Sequence, residues 1–312
     1  MVLTPQAAAS FLRDTHVLDG GMASELEYRG ANINGPLWSA HVLEEEPEKI
    51  VDVHRAYLEA GAQCIETASY QVSRRGYTEI GLPAERADAA LLLSVRLARQ
   101  AASAFPDRRI VIAASLGPYG ASLHNGAEYH GNYDCTHAEL VQFHRERIDV
   151  LAAARDDGAP DVLAFETLPS LDEAQAIGEA LADRPSAAAW FSFTCRDEER
   201  AARGELLGDC AKAVAAFPQT VAVGVNCTQP AYVSALIREL RAASDKPVIV
   251  YPNSGEGWDA VHRCWTGAGD ASGYAAMARQ WGISLSTPRE TRYSSLLCNP
   301  PSQEGGAEET CS

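Results

Sequence analysis

Residues 220–244, TVAVGVNCTQPAYVSALIRELRAAS, hold the pattern that decides the fold. Residues 220–227 are an apolar, β-branched run that ends on Asn226 and Cys227. Pro230 then opens a segment whose apolar residues recur at helical spacing, with proline where a helix start tolerates it. A strand that hands over at once to a helix is one unit of a parallel sheet with helical crossovers. The unit recurs along the chain. Strands are expected in HVLDGG (16–21), QCIETAS (63–69), RIVIAASLGP (109–118), DVLAFETLP (161–169), AAWFSFTC (188–195) and PVIVYPNSGE (247–256), with helical segments such as PEKIVDVHRAYLEAGA between them. Their near-continuous apolar character fits strands buried on both faces.

Two architectures share this alternation, the closed (β/α)8 barrel and the open doubly wound sheet. No strand is followed by a G-x-G-x-x-G turn, and DGGMAS has the spacing of neither phosphate-binding loop, which weakens the dinucleotide reading. The expected strands instead end in reactive side chains: Asp19, Glu66 and Thr67, Ser115, Glu166 and Thr167, Thr194, Asn226 and Cys227, Asn253 and Ser254. A barrel enzyme collects its functional groups at the C-terminal ends of its strands, so a (β/α)8 TIM-type barrel is predicted.

Bulk properties narrow the function. Of 312 residues 46% are hydrophobic, enough for a large core, and the formal net charge of −16 leaves no basic surface for nucleic acid. MVLTPQAAASFLRDTH mixes acid, base and proline and is not a secretory signal, and no apolar window is long enough to span a membrane. Eight cysteines at scattered spacings do not form a disulfide framework, so reduced thiols and a cytoplasmic location are expected.

Single residues leave alternatives open. Asp19 precedes Gly20 and Gly21, which would allow a tight turn close to a ligand; equally, the segment could be the start of a helix over MASELEYRG. Glu66 and Glu166 could be structural carboxylates or the acid pair of a glycosidase. A Schiff-base lysine is excluded, because Lys246 precedes its strand while Lys49 and Lys212 fall in helical stretches. No histidine sits at a strand's C-terminal end. HNGAEYHGNY (124–133) is a polar loop that could act as a lid. Cys227 alone reads most simply as a small buried hydrophobe.

Taken together, LDGGMASELEYRG, LWSA, AGAQCIETASYQ, SLGPYGA, EYHGNY, FETLPS, WFSFT, GVNC and VYPNSGEGWD resemble the homocysteine S-methyltransferase family across residues 18–259, most closely the type using S-methylmethionine or S-adenosylmethionine. The resemblance implies a (β/α)8 barrel that moves a methyl group from a sulfonium donor to the homocysteine thiol, giving methionine. It implies that Asp19 and Glu166 hold the amino group of homocysteine, with Thr67, Gly20 and Gly21 at its amino-acid end. Trp38, Tyr70 and Gln71 would line the pocket, Asn226 belongs with the substrate-binding residues, and Cys227 and Glu166 with the catalytic ones. It also implies zinc, with Cys227 as a ligand. The family's other two zinc thiolates come from a Gly-Gly-Cys-Cys turn, which this chain lacks. After YAAMARQW the resemblance stops: residues 1–281 are expected as the barrel, with eighth strand and helix incomplete at ISL (283–285), and 282–312 as a disordered tail. The alternative is a catalytically impaired relative that still binds an amino acid.

Overall fold

Six of the apolar runs become strands of one parallel sheet, in a computed structural model that describes residues 3–13, 17–33, 41–253, 257–259, 264–266, 276–278 and 280–281. The strands are β1 (Cys64–Glu66), β2 (Val111–Leu116), β3 (Val162–Leu168), β4 (Ala189–Phe193), β5 (Thr220–Asn226) and β6 (Val248–Tyr251), hydrogen-bonded in that order. The helices are α1 (Pro5–Arg13), α2 (Met22–Tyr28), α3 (Val42–Glu45), α4 (Pro47–Ala60), α5 (Arg74–Glu79), α6 (Ala84–Ala102), α7 (His137–Ala153), α8 (Leu171–Leu181), α9 (Leu207–Ala215) and α10 (Pro230–Ala243). Their ends follow local chemistry. Proline opens α4 and α10, Gly61 closes α4 at φ 115°, and Thr136 and Glu139 form a reciprocal capping box on α7.

Strand order without a reversal is the order of a barrel wall, not of a doubly wound sheet. Curvature confirms it. Six flat strands would set β1 and β6 about 24 Å apart at ~4.8 Å per step, yet the Tyr251 hydroxyl on β6 is close enough to Glu66 on β1 to stabilise its charge. The sheet therefore curls into a half-barrel. Alternate residues then divide between two cores. One face, including Ile65, Leu116, Phe165, Phe191 and Val225, packs under the helices. The other packs inside the curl, where Cys64, Ala113, Ala164, Trp190 and Ile249 meet Ala8 and Phe11 of α1 at the strand starts. Gly224 is required by the β5–β6 contact: a Cβ there would lie 2.2 Å from the Ile249 carbonyl oxygen.

Of the expected first strand, 16–21, the described residues 17–21 form a single parallel bridge between Leu18 and Cys64, because Asp-Gly-Gly ends the apolar run after Leu18. A two-stranded antiparallel hairpin, β7 (Gly257–Asp259) with β8 (Cys264–Thr266), follows β6 and was not expected. Ala278 and Trp281 pack with Val233 and Ile237 of α10 and with Val248 and Val250 of β6. The incomplete eighth strand expected at 283–285 and the tail over 282–312 lie outside the described residues. Among the described residues no helix is long and apolar enough to cross a membrane.

His54, on the buried face of α4, has no hydrogen-bond partner on either ring nitrogen, and burial pushes its pKa down to about 3. An unfolded histidine titrates near 6.5, so between these values the unfolded chain holds a proton that the fold refuses, and stability falls as pH drops. His54→Leu is expected to gain stability relative to the wild type by up to roughly 1.4 kcal/mol for each pH unit below 6.5. Urea unfolding at pH 7 and pH 5 checks it; a difference that does not change with pH removes the explanation.

Candidate active site at the strand ends

The side chains facing into the curl become polar one step beyond its apolar layer. Glu66 follows Cys64 by two residues, Ser115 follows Ala113, Glu166 follows Ala164, and Tyr251 follows Ile249, as the two-residue period of a strand requires. Asp19 enters beside β1, where its Oδ2 accepts a 2.9 Å bond from the Glu66 amide. Three carboxylates thus share one buried mouth. Asp19 is 6% exposed and so is Glu166.

Few partners offset these charges. Ser115 Oγ donates to Glu166 Oε1, and the Tyr251 hydroxyl favours the charged form of Glu66 and Glu166. Asp19 Oδ1 and Glu66 Oε1 are buried with no partner. Burial, reinforced by the neighbouring carboxylates, raises Asp19 and Glu66 well above the ordinary range, and burial pushes Glu166 up to about 7. An ammonium brings three N–H donors and one positive charge, which is what these unpaired oxygens lack.

Thr67 belongs to the frame of the mouth. Its amide donates to the Ala113 carbonyl (2.9 Å), and its hydroxyl lies 2.6 Å from Ser69 Oγ. Ser69 Oγ donates to the Ser115 carbonyl, and the Ser115 amide returns a bond to Thr67 Oγ1. The Thr67 proton is therefore taken by Ser69, and an acceptor lone pair is what it can still offer a ligand. Gly20 and Gly21 do not use left-handed backbone, and Gly21, at φ −59°, immediately precedes α2. Gly21 thus stands at the helix start, one of the two readings the segment allows.

Cys227 stands at the same mouth, on strained backbone. A register shift between Phe165 and Leu168 sets Glu166 and Thr167 of β3 against Ser192 alone of β4, a bulge that re-aims both side chains. Thr167 has φ 58° and Cys227 φ 47°, a region that a β-branched residue rarely enters. Asn226 clamps the two together. Its Oδ1 accepts from the Thr167 amide (2.7 Å), and its Nδ2 donates to Thr167 Oγ1 (2.8 Å) and to Cys227 Sγ (3.4 Å). Thr167 Oγ1 adds a longer contact to the sulfur at 3.7 Å, and Thr194 Oγ1 donates to the Cys227 carbonyl. Strain of this kind persists where surroundings over-determine it, commonly at functional sites.

Two donors aimed at the sulfur would suit a thiolate, but burial and the charges of Glu166, Glu66 and Glu128 push the Cys227 thiol up to about 12. The zinc expected at Cys227 can be weighed against these residues. Among the described residues no three His, Cys, Asp or Glu side chains converge as a metal site. One thiol does not make the three- or four-ligand set zinc requires, so the residues described do not fit the metal and no step is derived through it.

Tyr70 lies near Thr167, Cys227, Glu128 and Tyr129. Gly117 makes room for it, since a Cβ there would fall 2.8 Å from the Tyr70 ring. Gln71 has a buried Oε1 without a partner. Trp38 lies outside the described residues. Tyr251 and Glu128 were not singled out from the sequence. The parity of VIVY would have revealed Tyr251; Glu128 was visible only as part of the polar loop.

Comparison with known proteins agrees with the fold. A family model described as homocysteine S-methyltransferase matches residues 16–282. The homocysteine S-methyltransferase YbgG of Bacillus subtilis is 45% identical over 273 residues, covering 85% of each chain. The homocysteine S-methyltransferase of Escherichia coli is 44% identical over 258 residues, 81% of this chain and 82% of that one. The crystal structure of the E. coli homocysteine methyltransferase MmuM in its oxidised form superposes with a TM-score of 0.80 at 38% identity, covering 93% of this chain and 98% of that one. The family model, these relatives and the TIM-type barrel fold agree, and the chain belongs to the homocysteine S-methyltransferase family.

Proposed function

We propose that this protein transfers a methyl group from S-methylmethionine or S-adenosylmethionine to the thiol of homocysteine, giving methionine. The observation that carries the reading is the trio of carboxylates, Asp19 and Glu166 buried and Glu66 half-buried, with unpaired buried oxygens on Asp19 and Glu66, in the same mouth as Cys227. In this reading the homocysteine ammonium sits among Asp19, Glu66 and Glu166, which directs its side-chain sulfur away from them. The sulfur attacks the donor methyl in line. A C–S bond forms, the sulfonium C–S bond breaks with its electron pair going to the departing thioether, and the thiol proton is released. The protein contributes alignment and a low-dielectric enclosure that strengthens each charge contact.

The relatives' names favour transfer over the alternative of an amino-acid-binding protein without activity. A cytoplasmic location and a separate tail over 282–312 belong to the proposal; zinc, for which Cys227 supplies one ligand among the described residues, is tested apart from it by metal analysis of the wild type and Cys227→Ser. The test of the reaction is direct: purified protein with L-homocysteine and each donor should form methionine, detected by mass spectrometry. Absence of methionine with both donors overturns the reading.

A further inference from the structure

The loop after β2 is folded back on itself and tied down from below. Gly120 approaches the opposite limb so closely that a Cβ would lie 2.6 Å from the Glu128 nitrogen. One buried carboxylate on α8 holds both limbs: Glu173 accepts from the Tyr119 amide through Oε1 and from the Tyr133 hydroxyl through Oε2. His144 of α7 braces that carboxylate at 2.9 Å, with Arg147 behind it at 2.8 Å from the other ring nitrogen. Residues 119–133 are therefore a placed element of the site.

This loop presents Glu128 and Tyr129 to the Cys227 side of the mouth. The Glu128 charge is close enough to act on Cys227, Tyr70 and Tyr129. The Glu128 backbone supplies one hydrogen bond to its own carboxylate, while Oε2 is closed off from water with no partner. Among the described residues no basic group contributes to its electrostatic surroundings, and its pKa rises to about 7 through burial. A carboxylate enclosed without a counter-charge is costly, and the cost is relieved when a cation arrives. Two aromatic rings beside it add faces that attract cations, and Tyr129, 44% exposed, leaves the approach open.

We propose that Glu128, flanked by Tyr70 and Tyr129, receives the positive charge of the methyl donor, forming a second cation subsite distinct from the Asp19–Glu66–Glu166 cradle for the acceptor's ammonium. The inference rests on the methyl-transfer reading for the identity of the cation. Glu128 becomes the residue that distinguishes a sulfonium donor from a neutral thioether of the same shape, so the spent donor, having lost its charge, is held less tightly and leaves.

The test titrates S-methylmethionine into acceptor-free protein, and homocysteine into donor-free protein, by calorimetry, for the wild type, Glu128→Gln and Glu128→Asp. Glu128→Gln should weaken donor binding by about tenfold or more and Glu128→Asp by less, with homocysteine affinity changed by less than about twofold. Thermal melts establish that each variant is folded. Donor affinity unchanged in Glu128→Gln, equal weakening of both ligands, or no donor binding by the wild type overturns the subsite. Failure of the subsite and of the reaction are separable. A wild type that makes methionine while Glu128→Gln keeps its donor KM refutes the subsite alone. Glu128-dependent donor binding without methionine refutes the reaction alone.

Discussion

Glu166→Gln is expected to lower kcat/KM for homocysteine by about 100-fold, about 2.8 kcal/mol at roughly 1.4 kcal/mol per decade. Glutamine keeps an oxygen for the Ser115 hydroxyl but removes the charge that would meet the ammonium. The pH dependence carries the same signature. With Glu166 raised to about 7, homocysteine binding to the wild type should weaken as pH falls below 7, because the protonated carboxyl no longer opposes the ligand's charge. That limb should shrink in Glu166→Gln, leaving the part that Asp19 and Glu66 contribute. Stability should move the opposite way. A carboxylate raised from about 4.5 to about 7 by folding holds a proton in the fold that the unfolded chain has lost, so its contribution falls as pH rises through that window. The empty variant should therefore be more stable than the empty wild type at pH 8, by a few kcal/mol at roughly 1.4 kcal/mol per unit. Steady-state kinetics and urea unfolding across pH 5–8 test both halves; unchanged homocysteine kinetics would remove Glu166 from the acceptor site.

Asn226→Ala should cost about 3 kcal/mol of stability together with most of the activity. One amide side chain, 1% exposed, joins the Thr167 backbone, the Thr167 hydroxyl and the Cys227 sulfur. Removing it leaves a buried amide unpaired, at about 1–3 kcal/mol, and frees two residues held in left-handed backbone to relax. Asn226→Asp separates the roles. Its carboxylate can still accept from the Thr167 amide but cannot donate to Thr167 Oγ1 or Cys227 Sγ, and it adds a charge beside a thiol already pushed up to about 12. Its stability should lie between wild type and alanine, while its activity should be as low as alanine's. Equal stability of wild type and Asn226→Ala would mean that the clamp does not hold the backbone.

Much of this frame was legible in the chain because burial on both faces leaves continuous apolar runs. RIVIAASL, DVLAFETL and TVAVGVN announce β2, β3 and β5 without help from tertiary structure. HVLDGG was over-read: two apolar residues, Val17 and Leu18, before Asp-Gly-Gly sustain one bridge among the described residues. At the site, Asp19, Glu166, Asn226 and Cys227 were recognisable because polar residues at the end of an apolar run stand at the rim of the sheet. Tyr251 was hidden because VIVY reads as uninterrupted hydrophobe until strand parity is applied. Glu128 depends on a fold-back fixed by Glu173, 45 positions further along (173 − 128), a relation that no local pattern encodes. The bulge in β3 left no trace either, since the residues it displaces are Glu166 and Thr167, with no glycine to mark it.

That bulge bears on any attempt to transplant this site. Copying the identities of Glu166, Thr167, Asn226 and Cys227 onto an idealised barrel would reproduce the composition and miss the geometry, because a regular ladder would turn Thr167 outward and straighten Cys227. The portable unit is three neighbouring strand ends: β3 with its extra residue, β5 with the asparagine that locks it, and β4 between them. A designer would need to move that kinked trio whole, and accept a less stable scaffold in return.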